Sequence, residues 1–330
     1  MKILFIGGTG TISSACSRLC IEKGHELHLL NRGKSMRTPP PEARIIHADF
    51  RNTGEVKKVL GQQNFDVVVD WIAFSEEHVK NDFELFRDIA AQYVFISSAS
   101  AYQTPPLKLP VTETTPLSNP YWEYSRNKIA CEEFLMKAFQ REGFPVTIVR
   151  PSHTYDKMSI PFHGGFLLFD RLRKGKKVII HGDGTSIWTL THHCDFAKGF
   201  VGLLGNASAI GEAYHITSDE WLTWNQIAAT LAEKAELDLQ TVHLPSDFIA
   251  RYDAGWGAGL LGDKSHSMIF DNSKIKHAVP DFSADIPFSR GAEEIVSWYF
   301  AEQGRQQINP ELDSLMDRMI NDFESITGHV

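Results

Sequence analysis

Lys2-Ile3-Leu4-Phe5-Ile6-Gly7-Gly8-Thr9-Gly10-Thr11-Ile12-Ser13 runs from a short β-rich stretch through a glycine turn into the start of a helix. That order, strand then turn then helix, is what makes a glycine run informative. Gly7 and Gly10 allow a tight turn and close backbone approach. The helix behind them aims N–H groups and a partial positive charge at a pyrophosphate. Ser13 stands where a third glycine is usual and is small enough for helix and strand to pack closely. Gly7, Thr9, Gly10, Thr11 and Ile12 are therefore assigned to binding a dinucleotide coenzyme.

Outward from this turn, β-rich runs at residues 26–30, 43–47, 65–70, 93–97 and 145–150 alternate with amphipathic stretches at 13–23, 53–62, 78–91 and 122–142. This alternation implies βαβ units and a parallel sheet, with strands apolar on both faces because helices cover both. Beyond residue 150 the pattern thins to strands at 177–181 and 213–217 and helices at 194–204 and 223–234, the last with Thr223 as N-cap. Gly255-Trp256-Gly257-Ala258-Gly259 reads as a linker, and an amphipathic helix starts at Pro310. The expected fold is α/β: a doubly wound parallel Rossmann sheet with a smaller C-terminal α/β substrate lobe. Residues 1–157 and 176–217 are assigned to the coenzyme domain, and 158–175 and 218–330 to the lobe. The cleft between them is the expected site.

The second strand ends Leu29-Leu30-Asn31-Arg32, without the carboxylate that accepts a ribose 2′-OH. Arg32 can pair with a 2′-phosphate or stack on adenine, so NADP is favoured over NAD. Asn31 and Arg32 are placed at the ribose and Asp49 at the adenine amino group; Phe50, Ala73, Pro151 and His153 are also assigned to the coenzyme surface.

The Gly7 to Ser13 turn is joined by Ser97-Ser98-Ala99-Ser100-Ala101-Tyr102, Tyr124-Ser125-Arg126-Asn127-Lys128, Arg150-Pro151-Ser152-His153-Thr154-Tyr155, and Gly182-Asp183-Gly184 followed by His192-His193-Cys194-Asp195. In this order the motifs resemble the extended short-chain dehydrogenase/reductase family, the relatives of UDP-galactose epimerase and dTDP-glucose dehydratase. The resemblance implies an NAD(P)-dependent enzyme of sugar or nucleotide-sugar chemistry with Ser98, Tyr124 and Lys128 as catalytic residues, Lys128 also holding the nicotinamide ribose. Tyr124 and Lys128 lie four apart and share a helix face. An ammonium beside a phenol favours the phenolate, so Lys128 is expected to bring Tyr124 below its ordinary pKa and make it a general acid/base. Tyr121 lacks a lysine four residues on.

The pattern departs from the family at the substrate. Trp188 stands where an arginine commonly binds a diphosphate, and His153 where an asparagine is frequent; with Ser100 these are the expected substrate contacts. Ala99 and Ser100 occupy positions where a dehydratase commonly has an acidic pair, which ranks epimerase or reductase above dehydratase. The alternative is a catalytically silent NAD(P)-binding regulator or an RNA-binding relative of the same fold.

Composition bounds the rest. Lys and Arg number 33 against 41 Asp and Glu, a net charge of -8 with no basic run, which argues against nucleic acid. No run approaches the roughly 18 apolar residues of a membrane span, the N-terminus lacks a signal-peptide layout, and the four cysteines form no C-x-x-C pair. A cytoplasmic protein with reduced thiols is expected, Cys16 and Cys20 serving as core residues. His192, His193 and Cys194 are adjacent and expected to point apart, so no metal is assigned, and Asp195 is read as a charge at a helix start. Trp221, Trp224, Trp256 and Phe270 are candidates to line a sugar cleft, and Phe162-His163-Gly164-Gly165-Phe166 to form a lid. The helix at 122–142 suggests a homodimer.

Overall fold

The computed structural model describes residues 1–328. Its strands are β1 (Lys2–Ile6), β2 (Glu26–Asn31), β3 (Arg44–His47), β4 (Val67–Asp70), β5 (Tyr93–Ile96), β6 (Val146–Pro151), β7 (His153–Tyr155), β8 (Val178–His181), β9 (Ile187–Trp188), β10 (Leu190–His192), β11 (Ala213–Ile216), β12 (Leu222–Thr223) and β13 (Thr241–Leu244). Seven of them form one parallel sheet in the order β11-β6-β5-β4-β1-β2-β3. The chain leaves β1 toward one edge, then returns to build the other from β4, so the strand order reverses between β1 and β4. Ligands in such sheets bind at that reversal, outside the carboxyl ends of the strands.

Alternation along β1 distributes the core. Ile3 and Phe5 pack with Cys16 and Cys20 of α1 (Thr11–Glu22), while Leu4 and Ile6 face the opposite layer with Val56 of α2 (Thr53–Leu60) and Phe83 of α3 (Glu76–Phe86). Leu135 of α4 (Glu123–Glu142) joins that second layer. Past α5 (Leu167–Arg173), Phe196 and Phe200 of α6 (His193–Leu203) complete the first. Within the seven-stranded sheet the edge strand β3 departs furthest from burial on both faces, with Arg44, Ile45 and His47 exposed.

The remaining helices are α7 (Trp224–Lys234), α8 (Ser246–Tyr252), α9 (Ala254–Gly259), α10 (Ser273–Ala278), α11 (Phe288–Phe300) and α12 (Pro310–Thr327), with a π turn at Leu260–Lys264. Thr223 caps α7 as expected, its hydroxyl accepting from the Gln226 N–H at 3.2 Å. Short pairings β7–β10, β8–β13 and β9–β12 lie outside the main sheet. Phe169, Trp188, Trp224 and Tyr299 form one core of this part, and Leu167, Ile249, Trp256 and Met319 another.

The expected linker at 255–259 is instead α9. A Cβ on Gly257 would lie 2.3 Å from the Cβ of Ala250. The glycine permits α8 and α9 to touch at backbone distance, and its flexibility is not what the position uses.

Candidate active site

The glycine turn bends back over the end of β1, and the Gly7 N–H donates to the Leu30 carbonyl at 2.9 Å. Gly7 and Gly8 carry φ values of 103° and 91°. A Cβ on Gly8 would sit 2.6 Å from Leu29 Cδ2, whereas one on Gly10 would meet only Ser13 Oγ at 3.3 Å. The tight turn thus belongs to Gly7 and Gly8 rather than to Gly7 and Gly10, and Gly10 leaves its outer side open. Ser13 does more than permit packing: its hydroxyl accepts the Gly10 N–H at 2.8 Å. Ser17 holds the turn from behind, donating to the Gly8 carbonyl at 2.8 Å. An open face beside a helix start fits a dinucleotide pyrophosphate.

Beside the turn lies a cavity of about 650 Å³ lined by Gly7, Thr9, Asn31, Arg32, Asp49 and Phe50, all expected, together with Lys34, Arg51, Ile72 and Phe74. Buried Asp70, at the end of β4, accepts the N–H groups of Ile72 and Ala73 at 2.5 and 2.9 Å and so shapes the turn that carries Ile72 and Phe74. Ala73 itself is buried, and its carbonyl accepts from Lys128 at 2.6 Å. Thr11 is also engaged within the protein, because its hydroxyl accepts from Arg37 at 3.1 Å. Arg37 grips the carboxylate of buried Asp156 through Nε and Nη2, with contacts of 2.8 to 3.0 Å, and Ser35 donates to the Thr9 carbonyl. Residues 35–37 cross the front of the glycine turn as a strap.

A second cavity, of about 300 Å³, brings Ile12 together with Ser98, Ser100, Tyr124, Pro151, His153 and Trp188. The serines form a chain of hydroxyls: Ser125 donates to Ser100 at 2.8 Å, and Ser100 lies 2.9 Å from Ser98. Ser98 also accepts the Ser100 N–H at 3.2 Å. Ser100, only 3% exposed, lines the cavity and stands against Ser98.

Lys128 is 2% exposed. Its Nζ donates to the carbonyls of Ala73 and Ile96 at 2.6 and 2.8 Å and lies 5.8 Å from the Tyr124 ring centroid. Burial pushes this amine down to about 8. Burial raises the Tyr124 phenol above its ordinary value; the Ser98 hydroxyl opposes that rise, and the Asp263 carboxylate adds to it. The expected acidification of Tyr124 by Lys128 is thus not met, because desolvation outweighs an ammonium already occupied by two carbonyls. His153 is neutral near pH 7, pushed down to about 3 by burial and then by Lys264. Trp188 is 2% exposed and its indole N–H has no partner.

A third cavity, of about 320 Å³, shares Trp122 and His153 with the second and is walled by His163, His181, Trp224, Trp256 and Lys264. Of the candidate aromatics, Trp224 and Trp256 line it, Phe270 lines the second cavity, and Trp221 is 56% exposed elsewhere. The expected lid at 162–166 is packed in place: the His163 ring stacks on Trp256 at 3.8 Å, and a Cβ on Gly164 would lie 3.2 Å from Met316 Cε.

His192, His193 and Cys194 do not point apart; their donor atoms lie within 4.8 Å of one another. Both rings have structural partners. His192 accepts the Cys194 N–H at 3.3 Å and meets Glu294 at 3.2 Å, while His193 Nδ1 lies 3.0 Å from the Thr11 carbonyl. Asp195 sits in the first turn of α6, where it accepts the Ile286 N–H at 2.8 Å. Sequence reasoning missed Trp122, Asp263, Lys264, Lys34, Arg51 and the Arg37–Asp156 pair. None belongs to a motif, and tertiary folding alone brings them to the walls.

Residues 3–217 match the NAD dependent epimerase/dehydratase family. The chloroplast stem-loop binding protein of 41 kDa b from Arabidopsis thaliana is 30% identical over 97% of this chain and 84% of its own length. UDP-glucose 4-epimerase from Lactobacillus helveticus is 29% identical over 46% of this chain and 51% of its own. Among solved structures, UDP-glucose 4-epimerase from Bifidobacterium longum, in complex with NAD+ and UDP, matches with a TM-score of 0.73 at 16% identity, covering 93% of this chain and 100% of that one. A glycine turn at the strand-order reversal, the match over residues 3–217 and the Arabidopsis relative agree: this chain belongs to the NAD-dependent epimerase/dehydratase family.

Proposed function

We propose that the protein is an NAD(P)-dependent oxidoreductase or epimerase that acts on a sugar-like substrate by hydride transfer. The observation that carries the reading is the convergence of Ile12, Ser98, Tyr124 and His153 on one cleft beside the start of α1. A nicotinamide coenzyme bound along the glycine turn supplies the hydride acceptor or donor. Tyr124, protonated at neutral pH, delivers a proton to a substrate carbonyl oxygen; in the reverse direction it must act as phenolate, so alcohol oxidation accelerates as pH rises. Ser98 donates its hydroxyl proton to the same oxygen as charge develops there. Lys128, fixed by two carbonyls behind the cleft, holds the nicotinamide ribose. Arg32, Lys34 and Arg51 against the single carboxylate of Asp49 support a preference for NADP.

A second reading, a binding protein without turnover, is favoured by the likeness to the stem-loop binding protein. The net charge of -8 weighs against a nucleic-acid partner. Turnover of Tyr124→Phe separates the two readings. An enzyme loses roughly 10² to 10⁴-fold in rate with its coenzyme affinity unchanged, whereas a binding protein is indifferent. In the same titrations NADP binds roughly tenfold or more tightly than NAD, the contribution of one charge-assisted hydrogen bond. Equal affinities would remove the preference and leave the rest of the reading intact.

A further inference from the structure

The turn that follows β4 serves the coenzyme cavity and Lys128 at once. Ile72 and Phe74 wall the cavity, and between them the Ala73 carbonyl accepts from Lys128 at 2.6 Å. The Phe74 ring also lies 4.6 Å from Lys128 Nζ and 6.2 Å from the Tyr124 ring. One fully buried carboxylate sets this turn, because Asp70 Oδ1 accepts the N–H groups of both Ile72 and Ala73. Its other oxygen, Oδ2, finds no donor among the described residues, and neither does Oδ1 of fully buried Asp82 on α3. The two carboxyl groups face each other, and the Tyr93 hydroxyl donates to Asp82 Oδ2 from the far side. Two buried carboxylates in contact cannot both be ionised, and one proton between them satisfies both orphaned oxygens. Burial raises both acids, Asp82 the further; at Asp70 the hydrogen bond with Asp82, the two backbone N–H groups and Lys128 work against the rise. The proton thus sits on Asp82 and the negative charge on Asp70.

Taking the proposed reaction as given, we infer that Asp70 is a positioning residue for Lys128: its carboxylate fixes the carbonyl that holds the amine and supplies the counter-charge that keeps it an ammonium. Asp82, protonated, confines that charge to Asp70. The other groups facing Lys128 do not replace it. Burial pushes the Cys131 thiol up to about 12, raises the Tyr124 phenol and lowers the His78 imidazole, so all three are neutral at pH 7. The Glu132 carboxylate is engaged by Arg150 and Ser97. Burial has already pushed Lys128 down to about 8, close enough to neutral pH that loss of a counter-charge converts much of it to the free amine. Two of its three N–H donors are spent on the Ala73 and Ile96 carbonyls, which leaves one for a ribose hydroxyl.

The test uses the full-length protein. NMR of ε-13C-lysine follows the titration of Lys128, whose signal is identified by its absence in Lys128→Arg. The amide oxygen of Asp70→Asn can still accept the two N–H groups, but the negative charge vanishes or withdraws to Asp82. Lys128 should then bind its proton roughly three- to tenfold more weakly. In Asp82→Asn the new amide donates to Asp70 in place of the shared proton, and the Lys128 proton affinity should stay within about twofold of wild type. NADPH binding, read by fluorescence, should weaken severalfold in Asp70→Asn at pH 8 and change little at pH 6, where the amine is protonated in both proteins; a merely distorted turn would weaken binding equally at both. Infrared spectra of the wild type at pH 7 should contain a protonated-carboxyl stretch that Asp82→Asn removes, a readout that does not require Asp70→Asn to fold. An unmoved Lys128 titration in Asp70→Asn, a pH-independent loss of NADPH affinity, or an unchanged carboxyl band in Asp82→Asn would each overturn the inference. So would a tenfold weakening in Asp82→Asn, because the counter-charge would then belong to the wrong acid. The proposed reaction fails separately, through indifference of turnover to Tyr124→Phe.

Discussion

Near the glycine turn, the groups that face a ligand come in short runs: Gly7 to Ile12, Asn31 with Arg32, and Asp49 with Phe50. Across the cleft, the walls draw on stretches spread along the chain, the runs 97–100, 151–154 and 160–163 together with residues 122, 188, 224, 256 and 263. Both sides bury polar atoms without partners: Asp70 Oδ2, Trp71 Nε1 and Asp82 Oδ1 on the first, indole and imidazole nitrogens on the second. Beneath the first there is also a closed set of charges, in which Glu132 accepts from Ser97 at 2.5 Å and from Arg150 at 2.6 to 3.2 Å. Where backbone turns and strand ends make the site, its signal is local and readable in the sequence. Where distant side chains make it, the chemistry is free to differ, and specificity resides there.

The contrast can be broken most forcefully at its closed side. Glu132 and Arg150 are 2% and 5% exposed, and Glu132→Gln leaves the guanidinium buried without its counter-charge. We expect unfolding in urea to reveal a loss of about 3–5 kcal/mol; a loss below ~1 kcal/mol would mean that the charges under the sheet are no more committed than those of the lobe. Gly8→Ala is the next largest. A methyl group there meets Leu29 at 2.6 Å in a backbone with φ of 91°, so stability should fall by about 1–3 kcal/mol together with NADP affinity. Set beside Trp256→Ala, which should spare the coenzyme, Gly8→Ala measures how independent the two sides are.

The same contrast governs what could be read beforehand. Strand alternation and the turn at residues 7–13 were legible because each is a local signal: β1 and β2 begin where their apolar runs begin, and α4 differs by one residue from the expected 122–142. Ser98, Tyr124 and His153 do meet in one cleft. What was not legible depends on tertiary contact. Ser100 lines the cleft, and the Ser125 hydroxyl that holds it from behind carried no signal in the sequence. The Tyr124 pKa followed burial, which spacing on a helix does not report. Gly257 looked like a linker residue because the sequence does not say that Ala250 presses against it. Asp263 had no motif at all; it reaches Tyr124 from a π turn more than a hundred residues away.

The finest test concerns His153, which lines both substrate-side cavities. Its imidazole is held down to about 3 in the folded protein, against an ordinary value near 6.5 in the unfolded chain. Between those values the unfolded chain binds a proton that the folded protein does not, so this residue's contribution to stability is lost as pH falls from 7 toward 5. The loss should be on the order of 1–2 kcal/mol at pH 5. His163, His181 and Asp263 also titrate with shifted values, but they remain in His153→Gln and their effects cancel in the difference between the two proteins. Urea unfolding at pH 7 and pH 5 should therefore find that wild type loses this increment relative to His153→Gln. A difference that stays flat with pH would mean that the ring takes up its proton in the folded state. The substrate side would then carry positive charge under mild acid.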